Sequence, residues 1–337
     1  MGKYLSDKLT LLYTILIIMV VYIHSYYLEA EQYTTASFLQ TLTGRGICRI
    51  ANCLFFCISG YLFARKINNG RDVYSKQKKR IQTLLLPYVL WNMIFVLWYV
   101  VLESIPGLSR FNNSNGILEQ YLNQPVLECL YNLFVTPAAF QLWFLRDLLV
   151  MLIFVPVLWW IAEKQWIVAL IIALASTTVY SWLIFFWMGI IIAVKKWDIE
   201  NYPRPTWTVI VSTAIFIGYA VYIALGKETI QTVEMVVNII GLYMIWSLYD
   251  IFANGKCPAN QGLWKYICGY SFFIYCFHEP AFNIIKKLAL VICGTSEPII
   301  IFFYYINPWI MVIMAVLIAK LLQRMTPRIY NILTGGR

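Results

Sequence analysis

The chain has 337 residues, of which 61% are hydrophobic and only 12% are charged. A soluble globular domain carries about 25% charged residues, so this composition excludes a water-soluble protein and favours a membrane protein. The formal net charge of +10 does not predict a nucleic-acid partner, because the lysines and arginines lie in short segments beside apolar runs.

Apolar runs of about 20 residues, the length at which a helix crosses a bilayer, recur along the whole chain. We therefore predict an all-α membrane protein: a single domain over residues 1–337 that forms a bundle of about ten transmembrane helices. The two runs between residues 166 and 195 are short and are compatible with either a tight hairpin or one long tilted element. The predicted spans are 9–27, 46–64, 81–102, 141–161, 166–179, 181–195, 206–225, 230–252, 266–290 and 298–322.

The basic residues predict the orientation of the chain in the bilayer. With ten spans, the Lys- and Arg-rich segments all fall on one side, and such segments favour the cytoplasm. We expect both termini on that side and the loops 28–45 and 103–140 outside. The residues concerned are Arg65, Lys66, Arg71, Lys76, Lys78, Lys79, Arg80, Lys195, Lys196, Lys256, Lys265, Arg324 and Arg328.

The chain has two histidines, and both lie in predicted spans. His24 is about fifteen residues into the first span, which places it in the outer half of the bilayer. His278 precedes Glu279 and Pro280 in the ninth span. An ionisable side chain at this depth is a functional candidate, and imidazole can take a proton from a hydroxyl near neutral pH. The alternative for each is a structural histidine that is hydrogen-bonded to a neighbouring helix.

Three further sets of residues are candidates for substrate binding. Arg49 and Arg146 lie near the predicted outer ends of spans, where they could bind an anionic or sugar substrate, snorkel, or pair with a neighbouring carboxylate. Ser59 and Gly60 could admit a ligand or a close helix contact. Arg80 ends a basic run that could attract the phosphates of a nucleotide donor or act only as a topology signal. The eight cysteines show no metal-ligand spacing, and no metal site is predicted.

Six segments in order resemble the membrane-bound acyltransferase type 3 family, which includes O-acetyltransferases of surface polysaccharides. Together they extend over nearly the whole chain. They are Val20–Ser25, Leu54–Leu62, Lys79-Arg80 with Leu86-Pro87-Tyr88, Leu142–Arg146, Phe186–Gly189 and Ser271–Pro280.

The resemblance implies a reaction and assigns roles. Family members take an acyl group, usually acetyl from acetyl-CoA on the cytoplasmic side, and deliver it to a glycan hydroxyl at the outer face. His24 matches the catalytic histidine of the family. Arg80, Ser59 and Gly60 match positions associated with donor binding or helix packing. The resemblance implies no bound cofactor for this chain. Acetyl-CoA is the expected co-substrate, and a glycan or lipid-linked saccharide is the expected acceptor.

Two positions depart from the family pattern. Members commonly have an arginine eleven residues before the histidine and an acidic residue three before that, where this chain has Tyr13 and Thr10. A charged partner for His24 would then come from elsewhere, with Arg49 and Arg146 as candidates.

Three functions are compatible with these features. The first is an acyltransferase of the bacterial inner membrane, with His24 and His278 at its catalytic centre. The second is a transporter or exporter of a glycan or polyol, for which internal repeats are expected and none is visible. The third, a sensor or assembly subunit, leaves the two membrane histidines unexplained.

Overall fold

The computed structural model describes residues 2–105, 124–176 and 180–336, and within these ranges the chain is helical, without strands. The predicted all-α class is thus confirmed. The α-helices are α1 Lys3–His24, α2 Thr34–Gln40, α3 Ile50–Ala64, α4 Gly70–Ser104, α5 Val126–Phe134, α6 Trp143–Lys164, α7 Trp166–Ala175, α8 Leu183–Val194, α9 Thr206–Ala224, α10 Gln231–Ala253, α11 Gly262–Gly269, α12 Ser271–Cys293, α13 Glu297–Met325 and α14 Pro327–Thr334. Single turns of 3₁₀-helix lie at Leu28–Gln32, Phe140–Leu142 and Pro258–Asn260.

Seven helical segments in the described ranges are long and apolar enough to cross a membrane, so the protein is a multi-pass membrane protein. They are Lys3–His24, Thr34–Ala64, Gly70–Ser104, Phe140–Lys164, Thr206–Ala224, Gln231–Ala253 and Glu297–Met325. The other three predicted spans correspond to α7, α8 and α12. The count of ten crossings and the orientation of the termini stay predictions.

The structure corrects three predicted boundaries. The second membrane helix begins at Thr34, because α2 continues through a π-helix, Thr41–Ile47, toward α3; most of the expected outer loop 28–45 is therefore helical. The expected loop 103–140 contains α5, while its residues 106–123 lie outside the described residues. The ninth span begins later than predicted, at Ser271, after a break at Tyr270 that separates it from α11.

The chain divides into two compact units. The first contains residues 1–76 and 154–271, and the second contains residues 77–153 and 272–337. Each is described by itself below. In the first unit α1 packs against α3, where Tyr13 contacts Phe55 edge to face with 4.7 Å between ring centroids.

Candidate active site

His24 is the last residue of α1, and its side chain is partly exposed. The chain turns directly after it: the amide of the buried Ser25 donates to the carbonyl of Tyr22 at 3.1 Å. Two residues later the Tyr27 amide donates to Oε1 of Gln40 at 2.7 Å, and Gln40 is itself buried at the end of α2. These bonds fix the return of the chain and hold His24 at the end of its helix.

The π-helix Thr41–Ile47 leads to Arg49 at the same end of the first unit. Such π-segments are frequent at functional sites because they re-aim the side chains that follow. Gly46 allows the segment to lie against α9, since a Cβ at Gly46 would be 2.8 Å from Cβ of Ala220. Arg49 forms an ion pair with Glu234 of α10, and its side chain is 38% exposed. A part of the guanidinium therefore faces outward at the end of the unit that carries His24.

Gly60 has a clear packing role. A Cβ on Gly60 would overlap the carbonyl oxygen of Phe186 in α8, and one on Gly189 would overlap the carbonyl oxygen of Cys57 in α3. The two glycines thus permit reciprocal backbone contact between α3 and α8. Ser59 is partly exposed beside this contact. A role of Ser59 or Gly60 in donor binding stays a prediction.

The opposite end of the first unit contains a buried charged network that sequence reasoning missed. Asp7 and Lys8 lie near the start of α1, and each is only 2% exposed. Lys8 Nζ lies 2.7 Å from Oδ2 of Asp250, whose Oδ1 accepts a 2.6 Å hydrogen bond from the Tyr4 hydroxyl. Asp7 accepts bonds from the Tyr249 hydroxyl, the Ala259 amide and the Asn260 side chain. Lys8 is therefore ion-paired and Asp7 is hydrogen-bonded, which offsets the cost of burying each charge.

Tyr202 joins this network from the segment between α8 and α9. Its hydroxyl lies 2.9 Å from Oγ of Ser247 and 3.4 Å from Oδ2 of Asp250. Burial raises the pKa of Tyr202 to about 12, so the hydroxyl remains a hydrogen-bond donor at physiological pH. Arg204 reaches the same carboxylate at 3.5 Å. Two charges in a row within an apolar helix, with a third charge in α10, were the signal that could have revealed the network.

In the second unit, His278 is completely buried in α12. Its Nδ1 lies 2.8 Å from the carbonyl oxygen of Tyr275 and 3.3 Å from that of Ile274, within its own helix. These two contacts lie within α12 itself, whereas the structural alternative proposed a bond to a neighbouring helix. A catalytic role for His278 stays a prediction.

The helix of His278 is interrupted by non-helical backbone at Glu279. Gln141 satisfies the carbonyls that the break releases: its Nε2 donates to the carbonyls of Cys276 at 2.9 Å and Glu279 at 2.7 Å. The Tyr275 hydroxyl donates in turn to the Gln141 carbonyl at 2.7 Å. A broken helix is tolerated at membrane depth only with such partners. Gln141 has no sequence signal beyond its place before an apolar run.

Arg80 and Arg146 also belong to the second unit. Arg146 lies across its neighbour Asp147, with Nε–Oδ1 2.8 Å and Nη2–Oδ1 2.7 Å, and donates from Nη1 to the Val135 carbonyl at 2.6 Å. Of the three alternatives for Arg146, the structure shows pairing with Asp147. Arg80 is partly exposed in α4. In the described ranges no three His, Cys, Asp or Glu side chains are grouped as metal ligands.

A family profile described as an acyltransferase domain of type 3 matches residues 7–322. The chain belongs to this acyltransferase family. The resemblance predicted from the sequence is confirmed, and the protein is a membrane acyltransferase. The succinoglycan biosynthesis protein ExoH of Rhizobium meliloti (strain 1021) is 23% identical over 359 aligned positions, which cover all of this chain and 94% of that protein. No solved structure matches the chain.

The departure from the pattern of the acyltransferase family now has a structural description. Tyr13 packs on Phe55, and Thr10 donates from Oγ1 to the Ser6 carbonyl of its own helix at 2.8 Å. Neither position carries a charge toward His24. Within the first unit, Arg49 is a cation at the histidine end, while Lys8 is one at the far end of α1.

Proposed function

We propose that this acyltransferase transfers an acetyl group from acetyl-CoA to a hydroxyl of a surface or exported polysaccharide or glycolipid. The bacterial inner membrane would be its location. The observation that carries the proposal is the place of His24: it ends the first membrane helix, partly exposed, within the segment Val20–Ser25 that resembles the catalytic segment of the family. ExoH, named for succinoglycan biosynthesis, supports a saccharide acceptor.

In this proposal His24 acts as the general base. It takes the proton of the acceptor hydroxyl while the hydroxyl oxygen attacks the thioester carbonyl carbon. The new C–O bond forms, the C–S bond breaks, and the proton passes to the departing thiolate of CoA. An equivalent route forms an acetyl-imidazole on His24 first and then transfers the acetyl group to the hydroxyl. Arg49, with its partly exposed guanidinium, is the candidate in the first unit to stabilise the oxyanion.

Acetyl transfer in proteoliposomes tests the proposal. Purified protein is supplied with labelled acetyl-CoA on one side and candidate glycans on the other. We expect label in the glycan for the wild type and for the control Thr10→Ala, which alters a hydroxyl bonded only within α1. We expect none for His24→Ala. Movement of unlabelled glycan across the membrane in all three, without any transfer of label, would instead favour the exporter function.

A further inference from the structure

A cavity of about 280 Å³ lies in the first unit, at the end where α1 begins. It is bounded by α1, α3, α8, α10 and the segment that follows α8. Its wall is formed by five aromatic side chains, by several aliphatic ones and, at the mouth, by Asp198; the aromatic residues are Tyr61, Trp197, Tyr202, Tyr243 and Trp246. Aromatic and aliphatic walls with few polar groups are characteristic of sites for small organic ligands.

The aromatic wall is held in place by hydrogen bonds to neighbouring residues. Trp246 donates from Nε1 to the Ile199 carbonyl at 3.0 Å, and Lys8 Nζ lies 3.8 Å from the centre of its ring. The Tyr243 hydroxyl lies 2.6 Å from Oγ1 of Thr208. Tyr202 is tied to Ser247, as described above. The buried Lys8–Asp250 pair therefore supports a preformed wall, and this gives the network a use beyond its own pairing.

The surroundings of the cavity mouth are basic. Both α3 and α8 end at this mouth, and each is followed by two basic residues, Arg65-Lys66 and Lys195-Lys196. Lys66 and Lys196 are exposed, whereas Lys195 donates to the Glu163 carbonyl at 2.9 Å. In residues 65–68 and 195–204, five basic residues face two acidic ones, Asp198 and Glu200. Hydrogen bonds from Asn201 keep the pKa of Asp198 low, so this carboxylate stays negatively charged. Even with both carboxylates charged, the basic residues outnumber the acidic ones, and the net charge of these segments is positive.

The long axis of the cavity also fits an extended ligand. On α3 the lining extends from Tyr61 at the mouth to Leu54, a helical rise of roughly 10 Å. This direction runs along the bundle, away from the basic mouth and toward the end that carries Arg49 and His24. A ligand with phosphates at one end and an uncharged chain at the other would match both the charge and the lining.

We propose that this cavity binds the acyl-pantetheine arm of the acyl-CoA donor, with Lys66 and Lys196 contacting the donor phosphates at the mouth. The inference rests on the proposed function and gives its donor a place in the structure. None of the five aromatic residues belongs to the donor set of Arg80, Ser59 and Gly60 that the family resemblance implies. Phospholipid is the competing occupant of the cavity, and the experiment below distinguishes it from coenzyme A.

The test measures binding of three probes to purified protein in detergent: coenzyme A, S-acetyl-pantetheine and adenosine 3′,5′-bisphosphate. Quenching of tryptophan fluorescence reports binding, since Trp197 and Trp246 are in the wall. The variant Ile192→Phe adds bulk to the lining, and Ile210→Phe adds the same bulk at a 63% exposed position of α9. We expect Ile192→Phe to weaken binding of coenzyme A and S-acetyl-pantetheine by about tenfold, with the bisphosphate unchanged. The control variant should bind all three as the wild type does.

Two further variants keep the proposal testable if Ile192→Phe does not fold. Leu54→Ala enlarges the cavity at the end away from the mouth, where the acyl group would lie, and should shift donor preference from acetyl-CoA toward butyryl-CoA. Lys66→Ala with Lys196→Ala should weaken the bisphosphate and coenzyme A, but not S-acetyl-pantetheine, and should reduce the salt dependence of binding.

Three results would overturn the inference. They are unchanged binding of S-acetyl-pantetheine in Ile192→Phe, an unchanged acyl preference in Leu54→Ala, and co-purified phospholipid that Ile192→Phe removes without any effect on coenzyme A. These results leave the proposed function intact, because the donor would then bind elsewhere. By contrast, a wild-type protein that binds no coenzyme A and transfers no acetyl group would contradict the proposed function itself.

Discussion

Replacing Gly60 by alanine should separate two helices of the first unit. The added methyl group would overlap the carbonyl oxygen of Phe186, and it would also lie 3.2 Å from the amide nitrogen of Ile190 in the same helix. Both obstacles are backbone atoms, which cannot rotate aside as a side chain can. The variant can be accommodated only if α3 and α8 move apart.

The expected cost follows from this geometry. Inserting a methyl group into a packed interior typically destabilises by about 1–3 kcal/mol, and a rigid obstacle places Gly60→Ala at the upper part of that range. Gly218→Ala provides a matched control, because Gly218 lies within α9 with no atom within 4 Å of an added Cβ. In the control, alanine should stabilise by about 0.4–1 kcal/mol through its higher helix propensity and its less flexible unfolded chain.

Titration with SDS in mixed micelles, followed by tryptophan fluorescence, measures the free energy of unfolding of each variant. We expect Gly60→Ala to unfold at a lower SDS fraction than the wild type and Gly218→Ala at an equal or higher one. Gly189→Ala should resemble Gly60→Ala, because its Cβ would meet the Cys57 carbonyl. A Gly60→Ala protein as stable as the wild type would refute the packing role, and the glycine would then have to be explained by ligand contact.

Three further variants test other parts of the structure. Lys8→Ala should lower the free energy of unfolding by up to about 3 kcal/mol, because the buried Asp250 loses its close cation and keeps only Arg204 at 3.5 Å. The double variant Lys8→Met with Asp250→Leu should be closer to the wild type in the same titration. Gln141→Leu should lower the free energy of unfolding by about 1–3 kcal/mol, because two carbonyls at the α12 break lose their donor. Gln141→Glu also lacks the amide donor, so it should be no more stable than Gln141→Leu. His24→Ala should leave the SDS midpoint unchanged while abolishing acetyl transfer, and His278→Ala should lower the midpoint; an unaltered midpoint for the latter would contradict its structural role.

Local sequence patterns were sufficient for the membrane helices. In the described ranges each predicted span overlaps a helix, as expected for apolar runs that have no other way to satisfy their backbone in lipid. Boundaries were less accurate where polar residues continue a helix, as at Thr34–Ile47, since their polarity imitates a loop. The break near residue 270 was hidden because both α11 and α12 are apolar.

The candidate site was only partly accessible to the same reasoning. His24 was identified by its rarity and by its family pattern, and the structure places it at a helix end as expected. The partners were not identified. Glu234 is far from Arg49 in sequence, and Asp250 is 242 residues from Lys8. A single sequence contains periodicity and composition, but it contains no information on which distant polar residues meet.

The Lys8–Asp250 contact bears on the order in which the protein is made. The first unit is built from two separate stretches of chain, and α1 enters the membrane long before residues 250–260 leave the ribosome. Until then Asp7 and Lys8 have none of their contacts with Asp250, Tyr249, Ala259 or Asn260. During synthesis, the N-terminal charges of α1 therefore stay near water until α10 and the turn that follows it have been made. A chain that stops before residue 250 would lack the partners of Asp7 and Lys8 at this end of the first unit, and we expect such a chain to be recognised by membrane quality control.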